Sequence, residues 1–479
     1  MSLKKLLIAN RGEIAIRIAR TAADLGIATV AVAPVDDAQS LHMRRADESR
    51  EIPGRGARAY LDIAAIVAAA KDSGCDAVHP GYGFLSENAD FARACAAAGL
   101  MFVGPNVPAL ELFGDKAKAK ALAKKVGVPL IEGSGDAVTL DEAKAFFASL
   151  GPSAAMMIKA VAGGGGRGMR VVEAADQIDD AFERCRSEAT AAFGSGDLYV
   201  ERLVRNARHI EVQVVADRHG AVTHLSEREC TIQRRHQKLI EIAPSPTLGA
   251  EQRRRITDAA VALAKAANYD AIGTFEFLLD ADRPDDPAGF AFIEANPRLQ
   301  VEHTVTEEVF GVDLVAIQLR IAAGETLAGI GLDAVRAPNG SAIQLRINME
   351  TMDASGMAKP AGGTLAVFEP PSGPGVRVDT FGYAGYRTSA AFDSLLAKVI
   401  VHAPTFEGAC RKAERALREF RIEGVATNAD FLLALLEDET VRANRGTTRF
   451  LDAHAPSLAA RADAIAKDRL PPSPPPAAP

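Results

Sequence analysis

The stretch AVAGGGGRGMRVVE, residues 160–173, places five glycines in six positions between two apolar runs typical of β-strands. Glycine tolerates a backbone with positive φ and lets successive N–H groups approach an anion closely. Lys159 before the stretch and Arg167 within it would add charge-assisted hydrogen bonds to phosphate. We therefore expect a mobile flap that closes over nucleotide phosphates; a flexible hairpin with a solvated tip is the alternative. The GxxxxGK[ST] phosphate loop is excluded, because no GK[ST] is present and no helical pattern follows.

The first 115 residues alternate short apolar runs with segments of helical spacing. KLLIAN and ATVAVAP are of the first kind, and GEIAIRIARTAADLG is of the second. This alternation predicts a parallel sheet covered by helices, and hence an α/β fold. The sequence ANRGE follows the first strand, so the GxGxxG fingerprint of dinucleotide-binding Rossmann folds is missing where it would be expected.

The predicted secondary structure of the remaining chain changes twice, at about residue 116 and at about residue 335. From about residue 116, a basic amphipathic helix precedes the strands that flank the glycines, and further strands are assigned to a second sheet. Three strands of that second sheet are predicted at DLYVERLV, RHIEVQVVAD and VTHLSERE. After about residue 335, short strands with turn signals precede two helices, so the whole is α/β in part and α+β overall. The end, PPSPPPAAP, predicts a disordered tail or a linker.

Composition excludes several classes of function. The 479 residues carry 55 Lys and Arg against 62 Asp and Glu, a net charge of −7, which argues against a nucleic-acid partner. No run approaches the roughly 18 apolar residues of a membrane-spanning helix. The five cysteines are scattered without a CxxC pair, which argues against a zinc site or a disulfide framework and suits a reducing cytoplasm.

Two strand-like segments, GTFEFLLD and GFAFIEANP, are joined by a segment rich in turn residues. If the two strands pair as a hairpin about the midpoint of this joining segment, Glu276 and Glu294 lie nearly opposite each other. Asn296, two residues after Glu294, then points to the same side as Glu294. Opposed carboxylates among apolar residues repel unless a cation lies between them. Two carboxylates and an amide carbonyl suit Mg²⁺ or Mn²⁺, so we expect a metal site that holds nucleotide phosphates. Exposed glutamates on a hairpin face are the alternative.

The segment NPRLQVEH follows directly. Arg298, Gln300 and Glu302 alternate along it, so on an extended chain they share one face. An arginine fork and an amide beside a carboxylate would bind a small planar oxyanion and supply a base. His303 falls on the opposite side and is expected to be a packed structural histidine.

A second polar cluster lies within ERECTIQRRHQKLIE. Its members are Gln233, Arg234, Arg235, His236 and Lys238. Basic groups so concentrated in an acidic protein favour a local anion trap, although the same pattern fits a solvated basic strand.

With these residues in place, the chain resembles biotin carboxylase, the ATP-grasp component of biotin-dependent carboxylases. The resemblance extends from LLIANRGEIAIRIAR to the helices near residue 450. It rests on the motifs HPGYGFLSEN, GDK, IKAVAGGGGRGMRVV, ERECTIQRRHQKLIE, GTFEFL, EANPRLQVEHTVTE and AIQLRIN. Gln344 departs from the glutamate of many stand-alone subunits and is closer to pyruvate-carboxylase-type domains.

The resemblance implies three domains and a tail. A Rossmann-like pre-ATP-grasp domain would span 1–115, and an ATP-grasp domain would span 116–334, with a mobile flap subdomain at about 133–204. A biotin carboxylase C-terminal domain would span 335–455, and 456–479 would form a tail that is proline-rich at its end.

The resemblance also implies roles for individual residues. The nucleotide contacts would be Lys116, Lys159, Gly163, Gly164, Gly165, Gly166, Gly168, Glu201, His209, Gln233, His236 and Glu276. The metal ligands would be Glu276, Glu294 and Asn296. The bicarbonate and biotin pocket would comprise Lys238, Arg298, Gln300, Val301 and Arg346. The catalytic set would be Glu302, the base that activates bicarbonate, Arg346, which steadies the biotin enolate, Lys238 and Arg298.

The implied reaction has two stages. ATP, with Mg²⁺ or Mn²⁺, would phosphorylate bicarbonate to carboxyphosphate, which then gives CO₂ and phosphate. The phosphate would take the ureido proton of biotin, and the resulting enolate would attack CO₂. A closing flap would protect carboxyphosphate from water.

The resemblance further implies partners. The sequence has no AMKM biotinylation motif, so biotin would arrive on a carrier protein or domain, and a carboxyltransferase subunit or domain would use the carboxybiotin. A homodimer is expected, with neither nucleic acid nor membrane as a partner. The final acceptor, whether acetyl-, propionyl- or longer acyl-CoA, pyruvate or urea, is not encoded in this half-reaction. Two other functions stay open at this point: another ATP-grasp ligase acting on a different carboxylate, and a non-catalytic nucleotide-binding module.

Overall fold

The structure, a computed structural model, describes residues 3–151, 155–161, 168–283, 289–353, 355 and 357–468. Three sequence expectations fall partly outside these residues. They are the flap glycines at 163–166, the middle of the segment that joins the two acidic strands, and the proline-rich end.

A parallel five-stranded sheet forms the N-terminal part of the chain. Its strands are β1 (Lys5–Ile8), β2 (Ala28–Ala33), β3 (Glu48–Glu51), β4 (Ala77–His79) and β5 (Met101–Phe102). The helices are α1 (Gly12–Asp24), α2 (Gly56–Ala59), α3 (Ile63–Asp72), α4 (Ala89–Ala97) and α5 (Val107–Gly114). The strand order is β3-β2-β1-β4-β5 and every pairing is parallel, so the predicted α/β arrangement is confirmed.

A separate three-stranded sheet lies in the region where the flap is expected. Its part of the chain contains α6 (Lys116–Lys125), α7 (Leu140–Ser149), β6 (Met156–Ala160), β7 (Met169–Val172), α8 (Ile178–Phe193) and β8 (Leu198–Arg202). The order is β7-β6-β8, with both pairings antiparallel. The prediction that DLYVERLV belongs to the second large sheet is therefore wrong. Its apolar residues Leu198 and Val200 pack with Ile158 in a core of their own, and an apolar pattern alone does not specify the partner strand.

An eight-stranded antiparallel sheet dominates the rest of the chain. The strands that follow are β9 (Ala207–Ala216), β10 (Val222–Arg234), β11 (Gln237–Ala243), β12 (Ile272–Asp280), β13 (Phe290–Asn296), β14 (Ser341–Asn348), β15 (Glu350–Met352), β16 (Ala358–Pro360), β17 (Val367–Glu369), β18 (Val376–Thr380), β19 (Leu395–Ala403) and β20 (Arg421–Glu423). The helices are α9 (Ala250–Ala266), α10 (His303–Phe310), α11 (Leu314–Ala322), α12 (Phe406–Glu419), α13 (Ala429–Leu436), α14 (Glu439–Arg442) and α15 (Phe450–Asp468).

The order in the large sheet is β13-β12-β9-β10-β11-β14-β19-β18. Strands on either side of residue 335 thus share one sheet, because β14 pairs directly with β11. The pairs β15-β16 and β17-β20 form small sheets beside it.

The two faces of the large sheet differ in chemistry, as the alternation in RHIEVQVV requires. Ile210 and Val212 of β9 point into an apolar core with Ile256 and Leu263 of α9. Glu211, one position along, is fully buried on the other face. That face therefore holds buried polar groups, which must find partners there.

Among the described residues, no helix has the length and apolar character needed to cross a bilayer.

Replacing Phe275 by alanine tests the apolar face. Its side chain is 1% exposed, and its ring packs edge-on against Phe113 with centroids 5.3 Å apart. We expect a loss of about 3–5 kcal/mol in the free energy of unfolding, measured by urea denaturation. Leu278→Ala, at a half-buried position of the same strand, is the control and should cost clearly less. Equal losses would contradict this division of the sheet.

Candidate active site

The acidic hairpin pairs as the sequence predicts. Glu276 of β12 lies directly opposite Glu294 of β13, and Asn296 lies opposite Thr274. The Asn296 amide donates to Glu276 at 2.9 Å, and Lys116 Nζ lies 3.0 Å from Glu294 Oε2. Two carboxylates and an amide oxygen form a set of hard oxygen donors, so the residues present fit Mg²⁺ or Mn²⁺.

Lys238 of β11 is the centre of the buried charges. Its ammonium group lies 2.7 Å from Glu211, 3.1 Å from Glu276 and 2.6 Å from Glu302. Burial would lower the pKa of Lys238, but the three carboxylates outweigh burial and hold the pKa well above its usual value. Lys238 is therefore a permanent cation at physiological pH.

Glu302 is enclosed by cations. Its side chain is completely buried, and besides Lys238 it contacts Arg346 Nη2 at 3.0 Å. Burial would raise the pKa of Glu302, but the charges of Lys238, Arg346 and Arg228 outweigh it and hold the pKa well below its ordinary range. The predicted base is consequently an ionised carboxylate.

Arg298 and Gln300 are in direct contact, whereas Glu302 is linked to them through Lys238 and Glu276. The extended chain expected for this segment is wrong. β13 ends at Asn296, and Glu302 has φ −86° and ψ 9°, so it precedes α10 in a turn. The side chains still meet: Gln300 donates to Glu276 at 3.2 Å, and Arg298 donates to Gln300 at 3.1 Å. The requirement to pair buried polar groups, rather than strand alternation, brings them together.

His303 lies on the far side of this turn, as predicted. It is completely buried, its Nδ1 lies 2.8 Å from the Gln300 carbonyl oxygen, and burial holds its pKa well below the ordinary value. The imidazole is therefore a neutral packing element.

Arg346 of β14 is oriented by a buried chain of hydrogen bonds. Its Nε lies 2.5 Å from Glu241, which also accepts a hydrogen bond from the Gln344 amide at 3.0 Å. Thr304 donates in turn to the Gln344 oxygen. The amide at position 344 can donate to Glu241 where a second carboxylate would repel it, so Gln344 leaves Glu241 free to hold Arg346.

A second group of residues lies toward the flap. Lys159 of β6 contacts Glu201 at 2.5 Å, and Lys120 of α6 contacts the other oxygen of the same carboxylate. Burial would raise the pKa of Glu201, but the two lysines lower it. Gly168 has φ +68°, and a Cβ there would lie 2.9 Å from Ala160 Cβ, so this glycine is required by the backbone.

His209 and Gln233 extend the group around Glu276. His209 Nε2 lies 2.8 Å from Glu276 Oε2, and its Nδ1 lies 3.3 Å from the Gln233 amide. Arg235 and His236 form the two-residue turn between β10 and β11, with φ of 47° and 67°. A left-handed turn without glycine or asparagine is strained, and such strain concentrates at functional sites.

Arg234 does not join the predicted anion trap. Its guanidinium forms two hydrogen bonds, at 2.9 and 3.0 Å, with the carboxylate of Glu350. The pairing fastens the β10–β11 turn to β15, a contact that sequence spacing could not reveal.

The structure thus brings together most of the predicted site. The residues linked to one another by direct contacts are His209, Gln233, Lys238, Glu276, Asn296, Arg298, Gln300, Glu302 and Arg346. Lys116 reaches this group through Glu294, while Lys159 and Glu201 pair with each other beside it. The Val301 carbonyl oxygen accepts a hydrogen bond from Lys398.

Sequence reasoning missed three buried ions that support the site. They are Glu211, Arg228 and Glu241, each 0% exposed. Arg228 Nε lies 2.5 Å from Glu211 and thereby fixes one wall of the Lys238 pocket. The signal was available, because a charged residue that alternates with apolar ones inside a long strand predicts a buried partner.

Comparisons with known proteins agree with this geometry. The biotin carboxylase N-terminal domain family matches residues 2–110, the ATP-binding domain family of the carbamoyl-phosphate synthase L chain matches 115–330, and the biotin carboxylase C-terminal domain family matches 344–453. Pyruvate carboxylase of Staphylococcus aureus is 45% identical over 458 residues, which are 94% of this chain. The chain spans only 39% of the length of that relative.

Solved structures agree over the whole fold. The biotin carboxylase domain of Hydrogenobacter thermophilus 2-oxoglutarate carboxylase, solved as a dimer with MgADP, ADP and bicarbonate, is 41% identical with a TM-score of 0.88. The alignment covers 96% of this chain and 99% of that one. The biotin carboxylase domain of a single-chain bacterial carboxylase is 49% identical, with a TM-score of 0.85 and the same coverage of 96% and 99%. With matches of this extent, the chain belongs to the biotin carboxylase family.

Proposed function

We propose that this chain carries out the first half-reaction of a biotin-dependent carboxylase, the ATP-dependent carboxylation of carrier-bound biotin with bicarbonate. The observation that carries the proposal is Glu302, an ionised carboxylate held between Lys238 and Arg346 beside the paired carboxylates of β12 and β13. A base, two cations for an anionic substrate and a site for a divalent cation are the groups that this reaction needs.

We assign the nucleotide end to the residues around the hairpin and the flap. Glu276, Glu294 and Asn296 would hold Mg²⁺ or Mn²⁺, which supplies charge neutralisation for the phosphates of bound ATP. The nucleotide would contact Lys116, Lys159, Glu201, His209, Gln233 and His236, together with Glu276, Gly168 and the glycines at 163–166, which lie outside the described residues. A cation such as Lys159 beside a glycine-rich strand connection suits phosphate oxygens.

We assign bicarbonate and biotin to the opposite end. Lys238 and Arg298 would bind bicarbonate with Gln300 and Val301, Glu302 would take its proton, and the product would be carboxyphosphate. Arg346 would stabilise the biotin enolate that attacks CO₂, because Glu241 holds its guanidinium group next to Glu302. The bicarbonate bound in the 2-oxoglutarate carboxylase domain supports a bicarbonate site in this family.

We infer the domain bounds and partners from the same argument. The bounds expected from sequence are 1–115, 116–334 with the flap at about 133–204, 335–455, and the tail 456–479. The last boundary falls inside α15, which continues to Asp468 and packs Leu458 and Ala462 into the C-terminal core, so we place the start of the tail after Asp468. The carrier would be a biotin carboxyl carrier protein or domain, and the user of carboxybiotin a carboxyltransferase. A homodimer is supported by the dimeric 2-oxoglutarate carboxylase domain, and a cytoplasmic location by five free cysteines that are all buried.

Release of ADP by the purified chain tests the proposal most directly. With Mg²⁺ and ATP, we expect release that requires bicarbonate and rises strongly when free biotin is added. Release that requires bicarbonate but ignores biotin would favour another ATP-grasp ligase. A folded protein that binds ATP and releases no ADP would favour a non-catalytic module.

Glu302→Gln and Arg346→Ala separate binding from chemistry. Both should abolish carboxylation of biotin, while the affinity for ATP changes little, because neither side chain belongs to the nucleotide end. Carboxybiotin formation from labelled bicarbonate and equilibrium binding of ATP provide the two measurements. Normal turnover by Glu302→Gln would remove Glu302 from the role of base.

The Glu302→Gln variant also tests the charge of the base. A carboxylate whose folded pKa is depressed stabilises the fold above its unfolded pKa of about 4.3, and this contribution disappears as the pH falls through the folded pKa. Urea denaturation should therefore give a stability gap between wild type and variant that is constant from about pH 8 to 6 and shrinks below about pH 5. A gap unchanged down to pH 4 would show that the site does not favour the ionised form.

A further inference from the structure

Lys398 of β19 is a buried lysine to which the proposed function assigns no role. Its side chain is 0% exposed, and its ammonium group donates to the Val301 carbonyl oxygen at 3.2 Å. The same group lies 3.0 Å from Glu13 Oε2 and 3.8 Å from Asp379 Oδ2.

The partners of Lys398 come from different parts of the chain. Glu13 lies in α1 of the N-terminal part and also accepts a hydrogen bond from the Tyr82 hydroxyl. Asp379 lies in β18, where it is held by Arg377 at 2.7 Å. The ammonium group thus joins the N-terminal helix and the far edge of the large sheet to the turn at 297–302.

The contact with Val301 bears directly on the base. The Val301 carbonyl belongs to the peptide unit that joins Val301 to Glu302, and a peptide unit is planar. A hydrogen bond that holds the Val301 oxygen therefore limits the rotation of this peptide plane. Because the plane contains the nitrogen and the Cα of Glu302, its rotation affects the direction in which the Glu302 side chain leaves the backbone. Glu302 lies in a turn rather than in a strand or helix. The backbone hydrogen bonds across this turn are long, 3.3 Å from His303 to Gln300 and 3.4 Å from Val305 to Glu302, so the Lys398 contact adds a constraint on this rotation.

The stability of the fold alone does not explain why the residue at position 398 is a lysine. Desolvating an ammonium group is costly, and replacing a buried ion pair by apolar residues of similar volume is often neutral or stabilising. A carbonyl, by contrast, can be held only by a hydrogen-bond donor, and lysine supplies one.

We propose that Lys398 is a positioning residue for the reaction, which orients the base Glu302 by holding the Val301 carbonyl. The inference rests on the proposed function, since it assumes that Glu302 is the base. It also explains why the N-terminal helix and β18 must be docked for the site to be complete.

Three variants test the proposal: Lys398→Met, Glu13→Gln, and the double variant. Lys398→Met should lower kcat for biotin-dependent ADP release by up to about 100-fold, the effect of a small misplacement of a reacting group, and leave KM for ATP unchanged. Glu13→Gln should reduce stability but keep kcat near the wild-type value, because the contact with Val301 remains.

The double variant decides between positioning and charge balance. Removing both ends of the ion pair should restore the urea midpoint relative to Lys398→Met, yet leave kcat low. Recovery of kcat together with stability would overturn the proposal, as would a Lys398→Met enzyme with wild-type kcat.

Lys412→Met is the matched control. The Lys412 ammonium group also donates to backbone carbonyls, those of Pro374 and His402 at 2.9 and 2.6 Å, but outside the site, so its kcat should not change. A fall in kcat as large as that of Lys398→Met would show a general effect of losing such a lysine and overturn the proposal. If wild type releases no ADP in response to bicarbonate, the proposed function fails before Lys398 is tested.

Discussion

The ammonium group of Lys238 among Glu211, Glu276 and Glu302 is the interaction on which the rest of the site depends. Three carboxylates so close together in a buried place would repel one another and take up protons. The charge of Lys238 lowers the pKa of Glu276 and Glu302. Arg228 pairs with Glu211, and Arg346 pairs with Glu302. The arrangement requires β9, β11, β12 and β14 to be in register, since each contributes a charge to the same face.

Because the buried charges of this site neutralise one another, binding of an anionic substrate in the proposed reaction would disturb existing ion pairs. An anion that takes Lys238 or Arg346 as its partner must compete with Glu302 for them. As these cations turn toward the anion, the effect that depresses the pKa of Glu302 weakens, and the carboxylate becomes a stronger base. Binding of the substrate thus prepares the group that would remove its proton.

Much of the fold and of the candidate site was predictable from the local sequence pattern. The parts that were not predictable have physical causes. The opposition of Glu276 and Glu294 followed from hairpin geometry, because the period of a strand fixes which side chains face each other. The partner of the strand at DLYVERLV did not follow, because an apolar strand can pair with any edge that offers a matching core.

The buried charged residues that the sequence did not reveal show a second limit of prediction from sequence. Arg228 pairs with Glu211 on the preceding strand, whereas Glu241 pairs with Arg346 on a strand about a hundred residues away in sequence. Only the three-dimensional register of the strands reveals which charges are paired. The same is true of Arg234, whose basic run suggested an anion but whose partner is Glu350. Charge patterns along a sequence identify where partners are needed, but do not identify the partners.

The sharing of one sheet by strands on both sides of residue 335 explains why the proposed chemistry needs the C-terminal part of the chain. β14 supplies Arg346 and pairs with β11, which supplies Lys238 and Glu241. Without β14, Glu241 and Glu302 would each lose the arginine that partly offsets its burial, and the edge of β11 would be exposed. The nucleotide end could keep its hairpin, but the proposed base would lose its contact with Arg346 and part of the effect that depresses its pKa. In the proposed function, activation of bicarbonate and its transfer to biotin would therefore depend on the joined sheet, and not on the nucleotide-binding part alone.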